Sequence, residues 1–134
     1  MKLTTVIQVQ PEAPKALLSM MRQINAARNH VSHVAYHEQV FSMIPLMRRC
    51  YRDVRDRFPL PSAAVVALVR SVAAAYRNRA RRSALATFGE VSSIPIYQHR
   101  YRRDGAVAFY GFRSPFLARP GTVLSSRHDA VLSY

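Results

Sequence analysis

The chain has 134 residues and a mass of 15.2 kDa, room for about one domain with a single core, so separate binding and catalytic domains of ordinary size do not fit. It carries 20 basic residues against 7 acidic ones, a net charge of +13, while 49% of its residues are hydrophobic. That combination excludes a disordered basic tail and predicts a folded protein that seeks a polyanion.

Of the 20 cations, 18 are Arg. The planar guanidinium pairs bidentately with phosphate and stacks on bases, so nucleic acid is favoured over an acidic membrane surface. The competing reading is a basic protein whose charges are merely solvated. Cys50 is the single cysteine, which rules out an internal disulfide and a cysteine-based zinc site and fits a reducing cytoplasm. The most apolar run, Ala63 to Val69, is too short to span a bilayer, and the first residues reach Gln8 and Gln10 without an apolar signal core. Neither a membrane partner nor export is expected.

In chain order, Lys2 to Gln10 reads as a strand, with Leu3, Thr5, Ile7 and Val9 on one side of a two-residue period. Pro11, Glu12 and Pro14 carry helix-start chemistry. From Lys15 to about Phe41 the positions Leu17, Leu18, Met21, Ile24, Val31, Val34 and Phe41 approximate a helical stripe. Ser42 caps a second helix running to about Phe58, with a core face of Ile44, Met47, Tyr51, Val54 and Phe58. Pro59-Leu60-Pro61-Ser62 stops it and opens a third helix to about Arg82, whose buried stripe is Val65, Val66, Val69, Val72, Ala73 and Tyr76. A boundary falls near Gly89, after which proline, aromatic and β-branched residues dominate.

Ile94 to Arg103, Asp104-Gly105 and Ala106 to Arg113 read as a hairpin on a two-residue turn, and a further pair flanks Arg127 to Asp129. The expected fold class is α+β, a three-helix bundle inserted after the first strand of a small antiparallel β-barrel or sheet. Its parts are residues 1–12 as the first strand, 13–88 as the helical lobe and 89–134 as the remainder of the β-domain.

Three arginine groups are candidates for nucleic-acid contact. Arg48, Arg52 and Arg55 fall at i, i+4 and i+7 on the second helix, although Asp53 and Asp56 stand four residues after Arg49 and Arg52 and offset part of that charge. Solvated face and phosphate contact both remain open there. Arg70, Arg77 and Arg81 share a face at i, i+7 and i+11 on the third helix, Arg79 and Arg82 add charge, and no acid lies between Asp56 and Glu90. The alternative for Arg79 to Arg82 is a favourable interaction with the helix dipole.

In the hairpin, the two-residue turn sets Tyr97 opposite Phe112, His99 opposite Tyr110 and Tyr101 opposite Ala108 on one side. The other side sets Arg100 opposite Phe109, Arg102 opposite Val107 and Ile96 opposite Arg113. Arg100, Arg102 and Tyr101 therefore join the candidate surface, where stacking would combine with phosphate contact. Core packing is the alternative for Tyr97 and Phe112.

His33 and His37 stand one helical turn apart beside Glu38, with His30 nearby, but no third well-spaced ligand completes a metal site, and they read as helix-surface histidines. Asp53 and Asp56 read as charge partners. No glycine-rich phosphate loop, nucleophile elbow or catalytic triad is present, and no cofactor is expected.

Several segments resemble the N-terminal half of TnpB-like proteins, the transposon-associated RNA-guided nucleases related to type V CRISPR effectors. They are Leu3-Thr4 with the strand and Pro11, Gln23-Ile24-Asn25-Ala26-Ala27-Arg28-Asn29, and Tyr51-Arg52-Asp53-Val54-Arg55-Asp56-Arg57-Phe58 leading into Leu60-Pro61-Ser62. Val69-Arg70-Ser71-Val72-Ala73-Ala74-Ala75-Tyr76 and Tyr101-Arg102-Arg103-Asp104-Gly105-Ala106-Val107 continue the order. The resemblance implies a wedge-type β-barrel with an inserted recognition lobe that grips guide RNA and target DNA, with Tyr51 and Arg70 as candidates for contact to a short motif beside the target. It also implies a RuvC-like nuclease domain whose three metal-binding carboxylates nothing among these seven acids replaces.

The expected function is thus a nucleic-acid-binding module without its own catalytic site, and its partners are guide RNA and target DNA. The apolar ending Ala130-Val131-Leu132-Ser133-Tyr134 fits a truncated protein or a split subunit. Two alternatives are a small basic subunit that docks on a separate nuclease chain or on a second copy, and a helix-turn-helix DNA-binding regulator. The regulator fits less well, because the third-helix face is poor in base-reading Asn and Gln.

Overall fold

The computed structural model describes residues 4–8, 15–78, 82–92, 94–96, 100–101, 107–108 and 129–133. Its packed body is three helices, α1 (Lys15–Glu38), α2 (Met43–Arg57) and α3 (Ser62–Ala75). Helix α3 packs against both of the others, which is why almost its whole circumference is apolar: Ala64, Val65, Ala67, Leu68, Val69, Val72 and Ala73 are all buried. From α1 the core takes Met21, Ile24, Ala27, Val31 and Ala35, and from α2 it takes Leu46, Cys50 and Val54. No helix among the described residues is long and apolar enough to cross a membrane.

The core face of α2 is rotated from the expected one. Leu46, Cys50 and Val54, at a four-residue spacing, are fully buried, Met47, Tyr51 and Phe58 pack at its margin, and Ile44 is 59% exposed. A lone thiol is among the most readily buried side chains, so Cys50 belongs in the stripe with the aliphatic residues. Helix α3 is also shorter than expected, ending at Ala75 rather than near Arg82. Arg77 therefore lies beyond the helix, and Arg70 and Arg77 do not share a continuous helical face.

The expected α+β class, with its antiparallel β-barrel or sheet, is corrected: the interpretable fold is helical, and no barrel is present among the described residues. Beyond the helices the described residues form only short ladders, of which β1 (Thr4–Gln8) runs parallel to β5 (Asp129–Ser133) and β2 (Ile94–Ile96) antiparallel to it. Parallel neighbours do not arise from the hairpin-connected antiparallel strands that were expected. What the β-branched and proline-rich segment contributes to the core is Ile94, which is fully buried with the helical residues. Period-two patterning says that a segment is half-buried, but not that it closes a barrel.

The hairpin register is corrected too. Strands β3 (Arg100–Tyr101) and β4 (Val107–Ala108) are antiparallel with Arg100 opposite Ala108 and Tyr101 opposite Val107. That is one residue away from the register a two-residue turn at Asp104-Gly105 imposes, and a one-residue slip changes every cross-strand partner. The turn itself and the strand expected before Arg127 lie outside the described residues, and the strand expected after Arg127 is β5.

Candidate nucleic-acid interface

A cationic concavity forms where the α1–α2 junction crosses the end of α3. Helix α1 ends at Glu38 because Gln39 adopts a left-handed backbone, φ 57°, and the Val40 N–H turns back to donate to Ala35 O at 3.0 Å. The Gln39 amide donates to Tyr36 O at 2.7 Å, satisfying a second carbonyl of the last turn. This reversal carries Phe41, Ser42 and Met43 over α3, where the Phe41 ring packs on the Tyr76 ring with centroids 5.1 Å apart.

Helix α3 ends just beyond at Tyr76, whose carbonyl accepts a hydrogen bond from Arg82 Nε at 2.9 Å. The same guanidinium lies 4.9 Å from the centroid of the Phe41 ring. Arg82 is thus tied at two points. The resulting groove, of about 270 Å³, is lined by Phe41, Ser42, Met43, Arg70, Ala73, Ala74, Arg77 and Arg82. Three cations converge there, and among the described residues no acid lines it.

On α2, Arg48 and Arg52 are exposed and pair with no acid among the described residues, so the Arg52–Asp56 pairing that spacing allows does not form. Arg49 instead reaches Glu38 at the end of α1 through two hydrogen bonds of 2.9 and 2.8 Å. Asp53 accepts from His30 Nε2 at 2.6 Å and from Arg57 Nε at 2.7 Å. The His30 bond first, then Arg57, holds its carboxyl below the ordinary carboxylate range. Arg55 donates to Leu60 O at 2.8 Å and so caps the chain leaving α2, while the Tyr51 ring packs at the edge of the core. Burial pushes the Cys50 thiol up to about 11, which leaves it unreactive.

A second polar region runs along α1 beneath residues 82–92. The Asn25 amide donates to Glu90 O and Ser92 O at 3.0 and 2.9 Å, and its oxygen accepts from Arg28 at 3.0 Å. Asn29 pairs with both backbone groups of Phe88, at 2.8 and 2.7 Å. The Ser32 hydroxyl bonds the Tyr76 hydroxyl at 2.7 Å and donates to Ala86 O at 2.5 Å, and the Tyr76 hydroxyl accepts from the Ala86 N–H at 2.9 Å. Arg28 is only 8% exposed, its guanidinium stands 3.8 Å from the Phe88 ring centroid, and burial lowers its pKa to about 10.

Among the described residues no three His, Cys, Asp or Glu side chains come together in a way that could hold a metal ion, and the His33 and His37 rings stack on each other at 4.1 Å. Of the arginines singled out by sequence, the structure brings Arg70, Arg77 and Arg82 to one groove, leaves Arg48 and Arg52 on the outer side of α2, and gives Arg55 a capping bond. Arg81 and Arg102, and the side chains of Arg100 and Tyr101, lie outside the described residues.

Sequence reasoning missed Phe41 and Met43 as groove residues. No local pattern marks them, because they meet α3 only through the reversal at Gln39. No family profile, no curated protein and no solved structure matches the chain.

Proposed function

We propose that this chain is a nucleic-acid-binding module of the RNA-guided nuclease kind, taking structured guide RNA and target DNA in the cytosol or nucleoid, and that its 134 residues bind without cutting. One observation carries the reading: Arg70, Arg77 and Arg82 line a single groove that no acid lines among the described residues. An arginine cluster in a concave wall focuses positive potential toward phosphates, and Arg48 and Arg52 extend the charge outside the groove. The sequence resemblance to TnpB-like proteins is what narrows the partner to guide RNA and its DNA target.

Metal-dependent phosphodiester cleavage needs carboxylates that hold divalent ions beside one phosphate. Of the seven acids, Asp53 is engaged by His30 and Arg57 and Glu38 by Arg49. Labelled single- and double-stranded substrates incubated with magnesium should therefore stay intact, and cleavage lost in Asp53→Ala would contradict the assignment.

The direct test is a salt titration of affinity for the RNA that co-purifies with the protein. Displaced counterions should give a steep log–log slope, roughly −0.7 per phosphate contacted on a single strand. A flat titration, or the absence of any co-purifying RNA, would favour a subunit that docks on another protein.

A further inference from the structure

Resting on the nucleic-acid reading, we infer that the groove between Phe41–Met43 and α3 holds one unpaired nucleotide, its phosphate on Arg77 and Arg82 and its base against Phe41 and Met43. The module then prefers single-stranded or bulged nucleic acid to duplex.

Four features point this way. The groove is small: about 270 Å³ lies below the ~300–1,000 Å³ of pockets that enclose a drug-sized ligand. A duplex could lay only its sugar-phosphate edge across it, and for such contacts a purely cationic lining would suffice.

The lining is not purely cationic. Phe41 is half-buried and Met43 is 37% exposed, so apolar surface lies in the same wall as the three arginines. Bases offer an apolar face to such a wall only when unstacked, and that pairing of stacking with a cationic track is how single strands are bound.

The floor is Ala73 and Ala74, which lets a sugar approach the α3 backbone closely. Arg82 is positioned in advance, with Nε bound to Tyr76 O and its guanidinium beside the Phe41 ring, so its terminal N–H groups are held beside the groove before ligand arrives.

A second cavity, larger than the groove, differs in its charge. At about 460 Å³ it is lined by Phe58 and Phe88 but also by Glu90, which pairs with Arg22 at 3.9 Å. Its aromatic walls come without a net positive charge, so a polyanion has no reason to enter.

The experiment compares three fluorescent RNAs of equal length on the full chain: a single strand, the same strand in a duplex, and a strand of abasic sites that keeps every phosphate. The single strand should bind roughly tenfold more tightly than either of the others, the scale of one base–aromatic contact. Met43→Ser, at an exposed position, should shrink that preference with thermal stability unchanged, and Phe41→Leu should do the same if it folds.

Equal binding of all three RNAs would overturn the nucleotide pocket and leave nucleic-acid binding intact, whereas failure to bind any of them would overturn both. Phosphatidylserine vesicles that displace the bound single strand and are not themselves displaced by an excess of it would show that the groove serves a lipid headgroup and would also overturn the proposal.

Discussion

Among the described residues, two arginines lie beside phenylalanine rings in different surroundings. Arg28 is buried beneath residues 82–92, 3.8 Å from the Phe88 centroid, and is held by Asn25 in a polar seam that pins the chain to α1. Arg82 lies 4.9 Å from the Phe41 centroid at the lip of an open groove shared with Arg70 and Arg77. The same pair of side chains is a fastening where water is excluded and, on the proposed reading, a docking point for phosphate where it is not. Burial decides between them, because a desolvated guanidinium has its hydrogen bonds and its ring contact fixed inside the protein.

The largest effect should come from breaking the seam. Asn25→Ala would leave Glu90 O, Ser92 O and an Arg28 N–H without their partner, at a cost of about 3 kcal/mol. The expected outcome is a fall in Tm of about 10 °C with RNA affinity per folded molecule unchanged. Cys50 reports the same event chemically. Its thiol is fully buried and raised to about 11, so alkylation at pH 8 requires opening of the core. Labelling should accelerate about a hundredfold in Asn25→Ala, in line with that destabilisation, and stay at the native rate in groove variants.

The groove should respond in the opposite sense. Arg70→Ala combined with Arg77→Ala is expected to weaken RNA binding about tenfold and to reduce the salt slope by about 0.7, the loss of the phosphate contact that Arg77 makes on a single strand. Tm should move by less than about 2 °C, since Arg70 and Arg77 are exposed.

The smallest effect belongs to the α1–α2 contact through Asp53. Its pKa is depressed in the folded state, so the associated stability is present above the unfolded value of about 3.9 and is lost as pH falls through the lower folded value. As a partly exposed contact it should contribute less than about 1 kcal/mol. Asp53→Asn should lower stability by up to that amount near neutrality and leave it unchanged in acid, which flattens the acid limb of a stability–pH curve measured by chemical denaturation.

How far the sequence could be read depends on whether the signal was local. The three helices follow from periodicity and from Pro59 and Pro61, and their boundaries fall close to expectation except where a long-range contact intervenes. Helix α3 stops at Ala75 because the Tyr76 hydroxyl is held by Ser32 and Ala86 and its carbonyl by Arg82, contacts that no window around residue 76 contains.

The same limit explains the seam. Asn25, Arg28 and Ser32 interrupt the apolar stripe of α1 and look like surface residues in sequence, yet all three are buried, because their partners lie 44 to 67 residues away or on the same helix. The β-barrel expectation failed for a related reason, since strand propensity does not specify which edges meet. The arginine groove was half legible: its cations follow from the uncompensated charge of residues 57–89, and its apolar wall depends on the reversal at Gln39.

The most direct measurement sets the two arginines against each other. Tm and Kd for one single-stranded RNA are determined for Arg28→Ala and for Arg82→Ala, each against the unaltered chain. Arg28→Ala should lower Tm by several degrees and leave Kd per folded molecule within about twofold, because it removes a buried ring contact and the bond to Asn25. Arg82→Ala should raise Kd about tenfold and lower Tm only slightly, through the lost bond to Tyr76 O. An equal loss of Tm in both variants with Kd unchanged in Arg82→Ala would contradict the division between fastening and docking.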